Sequence, residues 1–241
     1  MMDPKHPTLY WLELTNVPIL EQLQLEEALL RTDARNICVV NQGSPRAIVM
    51  GISGEPEKLL HLESVKRDKI PVIKRFSGGG TVIVDEGTLF ISFLFNQNAI
   101  NAAPFPEPLL RWSAELYQAS WKIPEFTLQA QDYTIGPKKC GGNAQYIRKD
   151  RWLHHTSFLW DYKEANMNYL LLPPKRPDYR LDRPHADFLC RLKDVAASPQ
   201  TLIEQLKKEL VKQFYIEELT FRNLNFPPHR RSTQQLDLGA L

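Results

Sequence analysis

The sequence predicts an α+β fold, with a mixed or antiparallel β-sheet flanked by helices. Two patterns carry that expectation. Short apolar runs of strand length recur along the chain, and segments with apolar residues at helical spacing stand among them. A third observation fixes attention on one place: three consecutive glycines, Gly78-Gly79-Gly80, lie between two of the apolar runs.

Leu9 to Leu14 reads as the first strand. Pro18 precedes a helix over 19–32, where Ile19, Leu23, Leu25, Ala28, Leu29 and Leu30 fall at helical spacing. Strands over 37–41 and 47–50 flank Gly43-Ser44-Pro45, and the second runs into a loop holding Gly51 and Gly54. Residues 56–68 predict one helix with Leu59, Leu60, Leu62 and Val65 inward. Ile70 to Ile73 and Val82 to Val84 read as strands on either side of the glycine run. Thr88 to Phe95 is apolar enough to be a central strand. Residues 96–108 are a proline-rich loop and 109–121 an amphipathic helix. Gln131 to Ile135 and Lys138 to Cys140 flank the turn Gly136-Pro137, with Gly141-Gly142 breaking the second strand. Residues 144–147 and 152–160 predict a hairpin. Pro173 to Arg180 predicts an irregular loop, and 199–214 an amphipathic helix. These elements define a domain over 1–222 and a tail over 223–241, rich in Pro, Arg and Gln and expected to be partly disordered.

The chain has 241 residues, enough for a full core, with 43% hydrophobic and 24% charged residues. A net charge of +2 gives no push toward nucleic acid. Three cysteines argue against a disulfide framework, and Cys38, Cys140 and Cys190 lack zinc-type spacing. No apolar run nears the ~20 residues of a membrane span. Met1 to His6 has neither a secretory core nor an Arg-rich amphipathic stretch. A cytoplasmic protein is expected, with an organellar location left open.

The glycine loop, Arg75-Phe76-Ser77-Gly78-Gly79-Gly80-Thr81, is unfavourable for stability alone. Such a run suits close approach of backbone to a ligand, with Arg75 and Ser77 adding a charge and a hydroxyl; a plain glycine-rich hairpin loop is the alternative. It is not a Walker A sequence, because no Gly-Lys-Ser/Thr follows, nor a dinucleotide fingerprint, because a strand follows. Lys139 stands beside a second bare stretch, where it could meet a carboxylate or phosphate; an exposed lysine pair on a hairpin is the alternative. Asp132 could bind a metal ion or a ribose hydroxyl, or serve its turn. In the strand holding His154-His155, alternation puts His155 with Leu153 and Ser157, and His154 with Trp152 and Thr156, so one of the pair points inward. Cys140 invites a nucleophile reading but points opposite to Lys139 in an extended segment. Arg176, Arg180, Arg183 and His185, with Tyr179, form a basic run that could bind phosphate, dock an acidic partner or stay solvated.

Three blocks taken in order resemble the lipoate-protein ligase A branch of the biotin/lipoate ligase family. They are Arg75 to Val82, then Gln131-Asp132 leading to Lys139-Cys140-Gly141-Gly142-Asn143-Ala144, then Leu153-His154-His155-Thr156. The family pattern runs Arg-x-Ser-Gly-Gly-Gly, Asn/x-Asp before Lys-x-x-Gly-Ser/Asn-Ala, and His-His-Gly. The resemblance covers roughly residues 8–215. It implies a class II biotin/lipoate ligase-like catalytic domain that activates lipoate or octanoate with ATP and Mg2+ to an acyl-adenylate. The acyl group then passes to a lysine of a lipoyl domain.

By that resemblance Arg75, Ser77, Gly78, Gly79 and Gly80 enclose the acyl-adenylate. Lys139 is the catalytic residue, Asp132 holds magnesium or nucleotide, Gly142, Asn143 and Ala144 complete the binding site, and His155 lines the acyl pocket. Several positions depart from the pattern. Val84 replaces a histidine, Thr88 an asparagine, Gln131 the asparagine before the aspartate, and Thr156 the glycine after the histidines. The accessory domain of bacterial ligases has no counterpart beyond Phe214, so a separate accessory subunit enters as a possible partner. Two alternatives stay open: an ATP-independent octanoyl transferase with Cys140 as nucleophile, and a degenerate module that binds a lipoyl domain without turnover.

Overall fold

A computed structural model describes residues 6–173, 176–224 and 226–240. Met1 to Lys5 of the N-terminal expectation, and Pro174 and Lys175 of the proline- and arginine-rich segment, lie outside these described residues. In chain order the strands are β1 (Thr8–Thr15), β2 (Asn36–Gln42), β3 (Ala47–Met50), β4 (Val72–Lys74), β5 (Val82–Val84), β6 (Thr88–Asn96), β7 (Phe126–Gln129), β8 (Asp132–Ile135), β9 (Lys138–Ile147), β10 (Arg151–Leu159), β11 (Tyr215–Glu218) and β12 (Gln234–Gln235). The α-helices are α1 (Ile19–Thr32), α2 (Pro56–Leu59), α3 (Leu62–Arg67), α4 (Pro106–Trp121), α5 (His185–Phe188) and α6 (Pro199–Leu210).

Eight strands form one mixed sheet in the order β11-β1-β2-β6-β10-β9-β8-β7, and four form a second in the order β12-β4-β3-β5. The apolar strand β6 sits in the middle of the large sheet, antiparallel to β2 and β10. The period of two decides its two faces. Ile91, Phe93 and Phe95 join Trp11, Tyr117, Trp152 and Leu206 in a core under α4 and α6. Leu94 joins Leu12, Leu29, Val39 and Leu153 under α1, and Phe90 meets α1 and the small sheet. Each large apolar side chain buried this way is worth about 1.5–3 kcal/mol. Trp121 Nε1 donates to the Leu202 carbonyl at 3.0 Å, fastening α4 to α6. Ser198 caps α6, its Oγ accepting from the Thr201 amide at 3.0 Å.

Several expectations change. Residues 56–68 form two short helices, because buried Leu60 leaves the helical path and bridges to Leu170. The strands flanking the glycine run do not pair with each other; β4 and β5 lie on opposite sides of β3. Gly141-Gly142 does not break β9, which runs on to Ile147. Gly141 and Gly142 pair with Phe158 and Ser157 of β10, and the missing Cβ at 141 leaves room for the Phe158 ring: a Cβ there would stand 2.6 Å from a ring carbon. The edge strands β7 and β11 are not anticipated by the sequence, being too short to show a period. The tail's described residues run back over the body. Leu236 donates its amide to the Val72 carbonyl at 2.7 Å, and Thr233 is buried beside Glu27 and Phe76.

Candidate active site

A cleft of about 1330 Å³ opens between the large sheet and the small one. The glycine loop leaves β4 and β9 crosses beneath it. Gly79 has φ +109°, a left-handed conformation suited to glycine, and a Cβ there would lie 2.6 Å from Arg75 Nη2 and 3.4 Å from the Asn143 carbonyl. The loop therefore rests on β9 at Asn143. Arg75 holds it from below. The guanidinium, 4% exposed, donates through Nη2 to the carbonyls of Gly78 (2.9 Å) and Gly80 (2.9 Å). Burial pulls the Arg75 pKa down to about 10, so the group stays charged at neutral pH.

Lys139 arrives from the other side. The β8–β9 pairing slips in register between Tyr133 and Thr134, leaving Cys140 with no residue opposite. Such a bulge re-aims the side chains beside it. The Lys139 ammonium folds back over Gly142: a Cβ on that glycine would stand 3.1 Å from Nζ. Nζ also lies 2.6 Å from Asp132 Oδ1, while Tyr179 OH donates to Asp132 Oδ2 at 2.8 Å. The carboxylate thus holds the ammonium within two residues of the point where the glycine loop touches β9.

The two histidines separate as the strand period requires. His155 lines the cleft, with Nδ1 3.0 Å from both oxygens of the fully buried Glu26. Ser92 Oγ donates to Glu26 Oε1 at 2.7 Å, and Gln22 Nε2 donates to the same oxygen at 2.8 Å. With Nδ1–H on the carboxylate, Nε2 is the ring nitrogen left to a ligand. His154 turns to the opposite core. Gln145 Nε2 donates to its Nδ1 (2.9 Å), and its Nε2 meets Tyr133 OH (2.8 Å). Side chains, not backbone, satisfy it, and burial drops its pKa to about 3.

Arg75, Gly79, Gly80, Asp132, Lys139, Gly142, Asn143, Ala144 and His155 all line the cleft. Of the basic run, Arg176, Arg180 and His185 line it as well, whereas Tyr179 and Arg183 do not, nor do three further candidates. Gly78 is exposed outside the lining, and Ser77 is buried with its hydroxyl lacking a partner among the described residues. Cys140, the alternative nucleophile, is fully buried away from the cleft; its thiol donates to the Tyr133 carbonyl at 3.4 Å, and burial pushes its pKa well up. A buried neutral thiol is a poor nucleophile. Sequence reasoning missed Glu26 and Ser92, and it placed Tyr179 in the basic run and not beside Asp132. Glu26 is the one with a signal, an acidic residue among the core positions of α1.

Two departures from the family pattern have visible surroundings. Val84 presents an apolar side chain to the cleft. Thr88 Oγ1 accepts from the Asp85 amide at 3.1 Å, so it serves a turn. Among the described residues no three His, Cys, Asp or Glu side chains cluster to hold a metal ion. No helix among them is long and apolar enough to cross a membrane.

A family model described as the lipoyl protein ligase A/B catalytic domain matches residues 18–215. The inactive lipoate–protein ligase 2 of Plasmodium falciparum is 28% identical over 84% of this chain and 69% of its own length. Three further curated ligases are matched over 30%, 34% and 57% of their lengths. A lipoate-protein ligase A solved with ATP bound superposes with a TM-score of 0.72 at 19% identity, covering 90% of both chains. A bi-partite lipoate protein ligase of Thermoplasma acidophilum, solved in a study that includes its E2 lipoyl domain, gives 0.72 at 20% identity, covering 90% of this chain and 88% of that one.

Proposed function

This chain belongs to the lipoyl protein ligase A/B catalytic-domain family, and on that premise we propose that it is a lipoate- or octanoate-attaching ligase. It forms an acyl-adenylate from ATP and passes the acyl group to a lysine of a lipoyl domain. The observation that carries this reading is the Lys139 ammonium lying over Gly142, next to the contact of the glycine loop with Asn143.

In the first step a carboxylate oxygen bonds to the α-phosphorus of ATP, the bond from that phosphorus to the bridging oxygen breaks, and pyrophosphate leaves. In the second the neutral acceptor amine bonds to the acyl carbon, AMP leaves with the electron pair of the anhydride bond, and the amine's proton passes to solvent. Both steps put negative charge on carboxyl and phosphate oxygens. Lys139 is placed to stabilise that charge, and Asp132 with Tyr179 fixes the ammonium beforehand. Ile19, Val49, Val84 and Phe90 give the cleft an apolar wall for a medium-length acyl chain, with His155 beside it.

Magnesium would enter this site on nucleotide phosphates, and Asp132, whose oxygens meet Lys139 and Tyr179 in the ligand-free protein, is the carboxylate that would help hold it. When bound it neutralises phosphate charge. Residues 1–222 act as the catalytic domain in this reading, and a separate accessory subunit is a partner to be sought.

A second reading, binding without turnover, draws support from Val84 and Thr88, where the family pattern has histidine and asparagine, and from the relative named as inactive. One experiment separates them. The protein is incubated with ATP, magnesium, octanoate or lipoate, and an apo lipoyl domain, and the domain's mass is followed. An acyl mass shift that requires ATP supports the ligase; domain binding with no shift supports the module.

A further inference from the structure

Two of the three cysteines meet where the end of α5 runs beside the start of β9. The pairing of β10 with β9 ends at Phe158 and Gly141, and past that point a different segment lies alongside β9. Lys139 bridges to Leu189 in the parallel sense, and the Cys190 amide donates to the Lys139 carbonyl at 2.9 Å. The next position on each segment is a cysteine, so Cys140 and Cys190 are neighbours in register.

Neighbouring strands run about 4.8 Å apart, inside the roughly 4.4–6.8 Å between Cα atoms that a disulfide spans. Alternation turns both cysteines to the face opposite Lys139 and Leu189. The core records this: Cys140 belongs to the cluster under α4 and α6, and Cys190 packs against the same cluster. Both thiols donate to the β8–β9 hairpin, Cys140 Sγ to the Tyr133 carbonyl at 3.4 Å and Cys190 Sγ to the Lys138 carbonyl at 3.5 Å. Cys38 is out of reach of either. It sits on β2, three strand positions from β9 and so about 14 Å away.

The two thiols differ in access. Cys140 is fully buried and Cys190 half-buried. The neighbouring Cys140 side chain lowers the Cys190 pKa, whereas burial raises that of Cys140. Cys190 is therefore the thiol that an oxidant meets first.

We propose that Cys140 and Cys190 form a reversible oxidation site, at which peroxide joins the two sulfurs and staples residues 178–190 to the strand that carries Lys139. The Cys190 thiolate bonds to one oxygen of hydrogen peroxide, the O–O bond breaks, and hydroxide leaves, so that Cys190 becomes a sulfenic acid. The Cys140 sulfur then bonds to the Cys190 sulfur, the S–O bond breaks, and the Cys140 proton departs with that oxygen as water. The two thiols lose two electrons and the peroxide gains them. Burial shields Cys140 from outside reagents but not from a sulfur already beside it. A dithiol reverses the bond by exchange. The stapled segment carries Tyr179, which holds Asp132, and Arg180 and His185 of the cleft lining. Oxidation thus fixes one wall of the cleft to the strand of the lysine, whatever reaction the cleft performs.

Peptide mapping of the native full chain tests this. The protein is treated with hydrogen peroxide, remaining thiols are blocked with N-ethylmaleimide in denaturant, and a non-reducing digest is read by mass spectrometry. A linked Cys140–Cys190 peptide pair should form, with Cys38 recovered as the blocked thiol, and dithiothreitol should abolish the link. The oxidised protein should melt about 5–10 °C above the reduced one. In Cys140→Ala the Cys190 sulfenic acid should persist and be trapped by dimedone, which labels little of the wild type. If Cys140→Ala loses its native circular dichroism, Cys190→Ala decides: its Cys140 should stay reduced at the same peroxide dose. A link that forms only in urea, a native Cys190 that runs on to sulfinic acid unlinked, a Cys140 oxidised without Cys190, or an oxidised protein that melts no higher than the reduced one overturns the site.

Discussion

Lys139 Nζ sits 2.6 Å from Asp132 Oδ1, across the turn of one hairpin, with both side chains mostly shielded from solvent. The pair points the ammonium along the cleft before any substrate arrives, and pre-aimed charge needs no reorganisation when negative charge develops.

Lys139→Ala should therefore abolish the ATP-dependent mass shift of the lipoyl domain, by about 100-fold or more in rate. The melting temperature should move by only a few degrees, because Asp132 keeps Tyr179 and the lysine packs no core. Mass spectrometry and a thermal melt check the two halves separately.

Glu26 tests the proposed acyl end of the cleft. It accepts from Ser92, Gln22 and the His155 ring in a fully buried setting. Glu26→Gln places an N–H where acceptors are required and should cost about 1–3 kcal/mol in urea unfolding. With the His155 ring released, the KM for octanoate should rise more than kcat falls.

Gly79→Ala forces a side chain into φ +109°, against Arg75 Nη2. The expected penalty is about 1–2 kcal/mol, with loss of acyl-adenylate formation because the loop must lift from β9. Gly80→Ala, where a Cβ meets nothing within 4 Å, should be milder. A side-by-side adenylation assay compares them.

The tail should report acid. Burial works to raise the Glu27 pKa, but the amides of Ser232 and Thr233 and the Arg31 guanidinium outweigh it, leaving it below its ordinary 4.5. A depressed folded pKa means stability that is present above the unfolded value and lost as pH falls through the folded one. Hydrogen exchange at the Ser232 and Thr233 amides should thus accelerate as pH falls below the ordinary 4.5 and through the lowered folded value, beyond the intrinsic trend. In Glu27→Gln it should already be fast at neutral pH.

Cysteine chemistry gives the last check. Cys140 is buried with its pKa raised, whereas the neighbouring Cys140 side chain lowers that of half-buried Cys190. Iodoacetamide should label Cys190 first and leave Cys140 unlabelled in the native protein. Cys140→Ala should keep ATP-dependent transfer.

Much of this was legible beforehand. Period-two alternation assigned His154 and His155 to opposite faces, and the apolar density of β6 put it at the centre of its sheet, because side-chain direction along a strand is a local property. The glycine run and Lys139 could be singled out for the same reason: bare backbone and a lone ammonium are visible one residue at a time. What the order of residues left open was who meets whom. The helix expected over 56–68 split because Leu60 is claimed by Leu170, and the strand break expected at Gly141-Gly142 is absent because both glycines pair with β10. Glu26 reaching His155, Tyr179 holding Asp132, and Arg180 entering the cleft are contacts between segments many residues apart. Chain closure and packing set such distances, and no local pattern encodes them.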